Sequence, residues 1–250
     1  MKVIGVIPAR YASSRLPGKP IVDICGHPMI WWVYQQAKAV EEFQEVMVAT
    51  DDDRIAAVCK ENQIPFVMTS PDTPNHIHRI LEVTEQIQAD YYVSINGDEP
   101  LINPENIRAA VNAIPKAVSE EAYFGSVYRE LKDPAEVIDL SNVKIVLGKE
   151  NQCLYQSRNP IPSTKGSLEF KYKKAIGIEC FNKKALDFFV NTPMGVLEKI
   201  EDIDHLRFLE NNVPIYYTKI DSESLSVDTK NDLERVTKII QSRMENRTEK

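Results

Sequence analysis

The chain has 250 residues, 43% of them hydrophobic and 27% charged, which suits one large α/β domain or a domain with a smaller lobe and a full buried core. Its net charge of −7 argues against a broad nucleic-acid or anionic-membrane surface, since either needs extended positive potential. No stretch approaches the roughly 18 consecutive apolar residues of a membrane span. There is also no secretory h-region before Arg10 and no C-x-x-C pair among Cys25, Cys59, Cys153 and Cys180, so a reducing, cytoplasmic setting is expected.

The first element is Val3-Ile4-Gly5-Val6-Ile7, short and β-branched enough to be a buried strand. It leads into the loop from Pro8 to Pro20, where Arg10, Arg15 and Lys19 offer forked and point-charge donors for phosphate oxygens. Ser13 and Ser14 add hydroxyls, and Pro17 and Pro20 restrict the loop. Open α/β sheets bind anionic ligands in such places, just past the C-terminal end of a strand. From Pro28 to about Val40, Met29, Val33, Tyr34, Ala37 and Val40 recur at helical spacing. Trp31 and Trp32 are adjacent and so point in different directions, which favours core or interface packing over a platform for nucleic-acid bases. Glu45 to Thr50 reads as the second strand, followed by a helix capped by Asp51 or Asp52 and carrying Ile55, Val58 and Cys59. Ile64 to Met68 is a third strand, Thr69 to Asn75 a turn, and helix resumes near His76 with Ile80, Val83 and Ile87. His76 and His78 lie two apart without supporting cysteines, which is wrong for a metal pair on one helical face.

Tyr91 to Asn96 is the fourth strand and ends in Gly97-Asp98-Glu99-Pro100, after which Asn103-Pro104-Glu105 opens another helix. This alternation predicts a Rossmann-like, doubly wound, mostly parallel α/β sheet. Right-handed crossovers then bring Arg10 and Asp98, each just past a strand end, to one crevice. The second half is less regular. Val143 to Leu147 and Cys153 to Ser157 read as a hairpin, Ala175 to Phe181 and Val213 to Ile220 as strands, and Leu186 to Val190 and Ile200 to Leu209 as helices. Asp228-Thr229 begins a last long helix with Leu233, Val236, Ile239 and Ile240 on one face, and the polar tail from about Asn246 is expected to fray. A carboxylate placed like Asp98 can hold Mg²⁺ that also binds substrate phosphates, or can simply stabilise its turn as an Asx residue.

Five blocks in order carry a resemblance over nearly the whole chain: Pro8-Ala9-Arg10-x-x-Ser13-Ser14-Arg15-Leu16-Pro17-Gly18-Lys19-Pro20, Val48 to Asp51, Asn96 to Pro100, Ser157-Arg158-x-Pro160-Ile161-Pro162, and Val227-Asp228-Thr229. Together they resemble the CMP-Kdo synthetases, the 3-deoxy-manno-octulosonate cytidylyltransferases. The resemblance implies a single nucleotidyltransferase domain, with a nucleotide-binding core over about 1–130 and 213–245 and a sugar-binding and dimerisation lobe over about 131–212. It implies CTP and a 3-deoxy-2-keto sugar acid as substrates, Mg²⁺ on Asp98 and Asp228, a homodimer, and a place in bacterial surface glycan synthesis, lipopolysaccharide or capsule. Arg10, Lys19, Asp98 and Asp228 would carry the reaction. Pro8, Ala9, Arg10, Ser13, Ser14, Arg15, Lys19, Arg79, Asn96 and Asp98 would hold the nucleotide.

The sugar residues implied are Arg158, Glu179, Asp204 and His205, and here the chain departs from the pattern. Ala175 and Glu179 stand where the family has a histidine and a tyrosine, and Asp204-His205 replaces Glu-Gln. The family run His-x-Ser-Gly-Thr-x-Arg appears here as Thr73 to Arg79 with only the arginine kept. These changes suggest the same reaction on a different sugar, with Glu179 either pairing with added groups on that sugar or pointing to solvent from its strand. The alternatives are a related nucleotidyltransferase with another nucleoside triphosphate or sugar, and a non-catalytic nucleotide-binding protein. Retention of Arg10, Arg15, Lys19, Asp98 and Asp228 together disfavours the last.

Overall fold

Strand β1 (Val3–Ala9) is flanked on both sides by parallel partners, β4 (Glu45–Thr50) and β6 (Tyr91–Ile95), and β5 (Phe66–Met68) extends the sheet beyond β4. In the chain between β1 and β4 the two-residue strands β2 (Asp23–Ile24) and β3 (His27–Pro28) form a small hairpin of their own. The computed structural model of the chain describes all residues except Ser14, Leu168, Glu223, Glu249 and Lys250. The chain divides into two units, Lys2–Arg108 with Glu223–Lys250, and Ala109–Ser222 with Met1.

In the first unit the helices follow the predicted alternation. These are α1 (Met29–Lys38), α2 (Asp53–Glu61) and α3 (His76–Gln86), with a final helix over Lys230–Thr248; α4 (Pro104–Asn112) begins in this unit and runs past its boundary at Arg108. Asp52 caps α2 by accepting from Arg54 N at 2.9 Å, Asn75 caps α3 by accepting from His78 N, and Asn103 accepts from Glu105 N at the start of α4. β1 pairs residue for residue with β4 from Ile4/Glu45 to Ala9/Thr50, so both strands end at the same level. Their apolar runs are continuous rather than alternating because both faces of a parallel sheet are covered. Among the described residues no helix is long and apolar enough to cross a membrane. The final helix runs on through Asn246 to Thr248, and Glu249 and Lys250 lie outside the described residues.

The second unit is mixed. β7 (Phe124–Glu130) pairs antiparallel with β10 (Lys173–Phe181) and parallel with β11 (Ile215–Lys219), while the hairpin β8 (Lys144–Leu147) and β9 (Cys153–Ser157) joins through β8 to β10. β7 carries no period-2 signal: six of its seven residues are buried, Ser126 and Arg129 among them. A register shift in β10 between Ile176 and Glu179 places Glu179 opposite Ser126. Helix α5 (Pro134–Ile138) follows β7, and α6 (Lys183–Asn191) follows β10. The expected helix over Ile200 to Leu209 is two helices, α7 (Val196–Glu201) and α8 (Leu206–Glu210), because Asp202 adopts φ 53° and ends the first in a left-handed residue. Phe124, Phe181, Phe189 and Phe208 form the aromatic core beneath them, with Phe124 and Phe181 centroids 4.5 Å apart.

All four cysteines are free, as expected for a chain without a disulfide framework. Burial pushes the Cys59 thiol up to about 11 and Cys153 up to about 12, which makes them inert packing residues.

Candidate active site

The loop after β1 is fixed at both ends of its cationic stretch. Leu16 is buried in a cluster with Ile24, Met29, Val227, Val236 and Ile240, an anchor worth roughly 1.5–3 kcal/mol of apolar burial. Gly18 takes φ 68°, where a Cβ would be strained, and its N donates to Tyr11 O at 3.0 Å. That turn launches a 3-10 turn over Lys19–Ile21 and directs Lys19 into the crevice.

There Lys19 Nζ donates to Asp98 Oδ2 at 2.7 Å and to Asp228 Oδ1 at 3.1 Å, and Arg15 Nη2 reaches the same Asp228 oxygen at 3.0 Å. Burial pulls the Lys19 ammonium down, but the Asp98 and Asp228 carboxylates together outweigh it and hold its pKa above the ordinary value. The Asp98 turn and the segment before the final helix are joined by Val227 N donating to Asp98 O at 2.8 Å. Asp228 does not cap that helix. Thr229 does so, with Asp232 Oδ2 accepting from Thr229 N at 2.8 Å and from Asp228 N at 3.2 Å. The Asp228 carboxylate is thereby left on the cleft wall, a division of labour signalled in sequence by Thr229-x-x-Asp232.

The cleft has a volume of about 520 Å³, within the range of small-molecule sites. Pro8, Ala9, Arg10, Ser13, Arg15, Lys19, Asn96, Asp98 and Asp228 line it together, and for Arg10 and Asp98, just past β1 and β6, this is the shared crevice that the crossover rule predicts. Ser14 lies outside the described residues. Arg10 Nη1 donates to Pro74 O at 3.3 Å while its Nη2 is buried without a partner, an unused donor that suits an anion's oxygen. Gly97 is required by close approach, since a Cβ there would stand 2.9 Å from Pro8 O.

Arg79 stands apart from the expected nucleotide residues. It does not line the cleft; it is fully buried, hydrogen-bonds Thr69 Oγ1, and lies 3.2 Å from Asp51 Oδ1, close enough for an ion pair but not aligned as a hydrogen bond. Burial pushes its guanidinium down, with Asp51 opposing and Arg10 adding to the effect.

In the second unit the expected sugar residues divide. Glu179 is buried, not turned to solvent, and its Oε1 lies 2.9 Å from His205 Nε2, whose ring also meets Phe124 edge-on at 4.8 Å. Asp204 precedes His205 at the start of α8, where its carbonyl accepts from Arg207 N at 3.2 Å. Arg158 instead grips backbone: its guanidinium donates to Glu201 O at 2.7 Å, Asp202 O at 2.6 Å and Leu140 O at 3.1 Å. Its neighbour in function is Arg207, which the sequence reading passes over: Arg207 forks onto Glu198 at 2.6 and 2.7 Å, deeply buried, and stacks on Phe189.

Two carboxylates set among three cations at the strand ends of a parallel α/β sheet are the arrangement of a nucleotidyltransferase, in which a polyphosphate meets a divalent cation. Comparison with known proteins agrees. A family model described as cytidylyltransferase matches residues 4–220. The chain is 37% identical over 247 residues to "3-deoxy-manno-octulosonate cytidylyltransferase, mitochondrial" of Arabidopsis thaliana, covering 97% of this chain and 84% of that one. It is 38% identical over 245 residues to the 3-deoxy-manno-octulosonate cytidylyltransferase of Lawsonia intracellularis, covering 96% and 95%. A solved CMP:2-keto-3-deoxy-manno-octonic acid synthetase complexed with CTP superposes with a TM-score of 0.91 at 32% identity, covering 97% of this chain and all of that one. The chain belongs to the 3-deoxy-manno-octulosonate cytidylyltransferase family.

Proposed function

We propose that this protein transfers the cytidylyl group of CTP to a 3-deoxy-2-keto sugar acid, 3-deoxy-manno-octulosonate first among them. The observation that carries the reading is the convergence of Asp98 and Asp228 on one cation in a cleft that also holds Arg10 and Arg15. In the reaction the sugar's anomeric 2-hydroxyl oxygen bonds to the α-phosphorus, the bond to the β-phosphate oxygen breaks, pyrophosphate leaves, and the hydroxyl proton passes to solvent. Arg10, Arg15 and Lys19 bind and orient the triphosphate, and positioning with charge neutralisation does most of the catalytic work. Asp98 and Asp228 suit Mg²⁺: they are two hard oxygen donors on separate segments, each partly exposed, which leaves remaining positions for water and phosphate. When bound there, Mg²⁺ neutralises charge on the α-phosphate.

The larger unit is assigned to the nucleotide and the smaller to the sugar acid. Relatives of this chain named for 3-deoxy-manno-octulosonate support that sugar, and so does the Glu179–His205 pair, because a carboxylate already taken up by an imidazole is a poor trap for an extra ammonium. Homodimerisation is supported by exposed apolar side chains: Ile138 and Leu140 on one segment, Val196 and Ile200 on α7, tied together by Arg158 through Leu140 O and Asp202 O. A cytoplasmic setting fits the four free thiols.

The test is pyrophosphate release with CTP and Mg²⁺ against 3-deoxy-manno-octulosonate, an amino-substituted relative and nonulosonic acids. Release with the first sugar best supports the reading in full, and release with another sugar acid alone moves the substrate. No release with any leaves a nucleotide-binding protein. Asp98→Asn should abolish turnover with the melting temperature retained; full activity in that variant removes the metal assignment.

A further inference from the structure

Lys19 occupies the place that the cation is expected to take. Its ammonium is 15% exposed and bridges one oxygen of each carboxylate, and Asp228 Oδ1 is shared with Arg15. The bridge is built rather than incidental: Gly18 in its left-handed conformation and the buried Leu16 set where the side chain starts, and the Val227–Asp98 backbone bond holds the two carboxylate segments together. We propose that Lys19 is an internal counter-ion that keeps Asp98 and Asp228 closed to a divalent cation until a nucleoside triphosphate draws Lys19 and Arg15 away. This rests on the assignment of Asp98 and Asp228 as the cation's ligands.

The physical reason is competition. An ammonium and a hard divalent cation seek the same carboxylate oxygens, and seating the second beside the first sets like charges within a few ångströms in a partly desolvated cleft. A triphosphate reverses the preference. Lys19 and Arg15 already line the cleft that would take it, its oxygens give both side chains new partners, and its charge brings in the cation. Cation and nucleotide then enter in a coupled way, and the protein alone binds bare cations weakly. Such coupling protects the site from idle occupancy by whatever divalent ion is abundant.

The experiment is a Mn²⁺ titration of the full-length protein without nucleotide, read by the loss of the free Mn²⁺ electron paramagnetic resonance signal. Lys19→Met should tighten Mn²⁺ binding about tenfold or more, because the competing charge is gone. Lys19→Arg keeps the charge and should leave the affinity where the parent has it, with a cooperative melt for each variant as the check on folding. Equal or weaker Mn²⁺ binding by a folded Lys19→Met variant overturns the proposal. The double variant Lys19→Met/Asp98→Asn should lose the gained affinity. If it binds as tightly as Lys19→Met, the cation is not on Asp98, and the ligand assignment itself falls.

Discussion

Glu179 Oε1 and His205 Nε2 lie 2.9 Å apart inside the smaller unit, joined across 26 residues of chain by the irregularity in β10 and the start of α8. Neither side chain is more than 13% exposed, so the contact between them is shielded from water and each helps to fix the other's position. Glu179→Ala should free the His205 ring and raise the KM for the sugar acid about tenfold, in line with the roughly 1–3 kcal/mol of a charge-assisted hydrogen bond. The KM for CTP should stay unchanged. Steady-state pyrophosphate release with each substrate varied in turn provides the check, and an unchanged sugar KM would remove the pair from sugar binding. Glu179→Gln, which still hydrogen-bonds the ring, should fall between.

Arg207 is a buried structural cation of the smaller unit. It forks onto Glu198, donates to Phe189 O at 2.8 Å, and lies flat on the Phe189 ring. Arg207→Met should destabilise the protein by about 3–5 kcal/mol, because Glu198 is left as a buried, unpaired carboxylate. Arg207→Met combined with Glu198→Leu should recover much of the loss. Chemical denaturation of the parent and both variants measures this, and a single variant as stable as the parent would show that the pair contributes specificity alone.

Asp232 supports the site through backbone. Its carboxylate closes the cap at Thr229 and also accepts from Asp228 N. The Thr229 hydroxyl, then the Thr229 and Asp228 amides, hold its pKa below the ordinary 3.8. A depressed folded pKa stabilises above the unfolded value and loses that stabilisation as pH falls through the folded one. Asp232→Asn should therefore melt lower than the parent at neutral pH, by about 0.3–1.5 kcal/mol of capping. The gap should narrow on acidification below 3.8. Thermal melts across that range test the sign, and a gap that widens in acid contradicts the assignment.

How far the sequence carried differs between the two units, for physical reasons. The first unit is built of parallel strands covered on both faces and helices with one buried stripe, so its periodicities were plain, and the strand ends alone placed Arg10 and Asp98 at one crevice. Asp228 was reached only through resemblance, since its approach depends on one backbone bond between Val227 and Asp98. Arg79 was assigned to the nucleotide through the resemblance, as the one residue kept from the family run; its charge is buried against Asp51 and Thr69, and the pairing with Asp51 across 28 residues is one that no local pattern reveals. In the second unit β7 hides Ser126 and Arg129 in its buried run, and the break between α7 and α8 turns on one left-handed residue, Asp202, which is neither Gly nor Asn. Arg158 shows the same limit: a guanidinium suits a sugar carboxylate, yet here it closes the end of α7 onto the Leu140 loop.

Gly97 joins the two strand ends that carry the cleft. A methyl group at that position would stand 2.9 Å from Pro8 O and 3.4 Å from Ile7 Cγ2, so the obstruction is backbone that cannot rotate away. Gly97→Ala must therefore part the end of β1 from the Asp98 turn, at an overpacking cost of about 1–3 kcal/mol. Because Arg10 follows Pro8 on one side and Asp98 follows Gly97 on the other, the displacement acts on the site directly. The expected outcome is a fall in kcat larger than the loss of stability alone explains, about a hundredfold for a misplacement near 1 Å. Gly125→Ala, a glycine in β7 whose nearest neighbours are atoms of the Tyr123 side chain, serves as the control for a glycine change away from the cleft. Kinetics and melting of the two variants side by side decide the matter: equal losses of activity in both would mean that the contact between Gly97 and Pro8 has no special bearing on the chemistry.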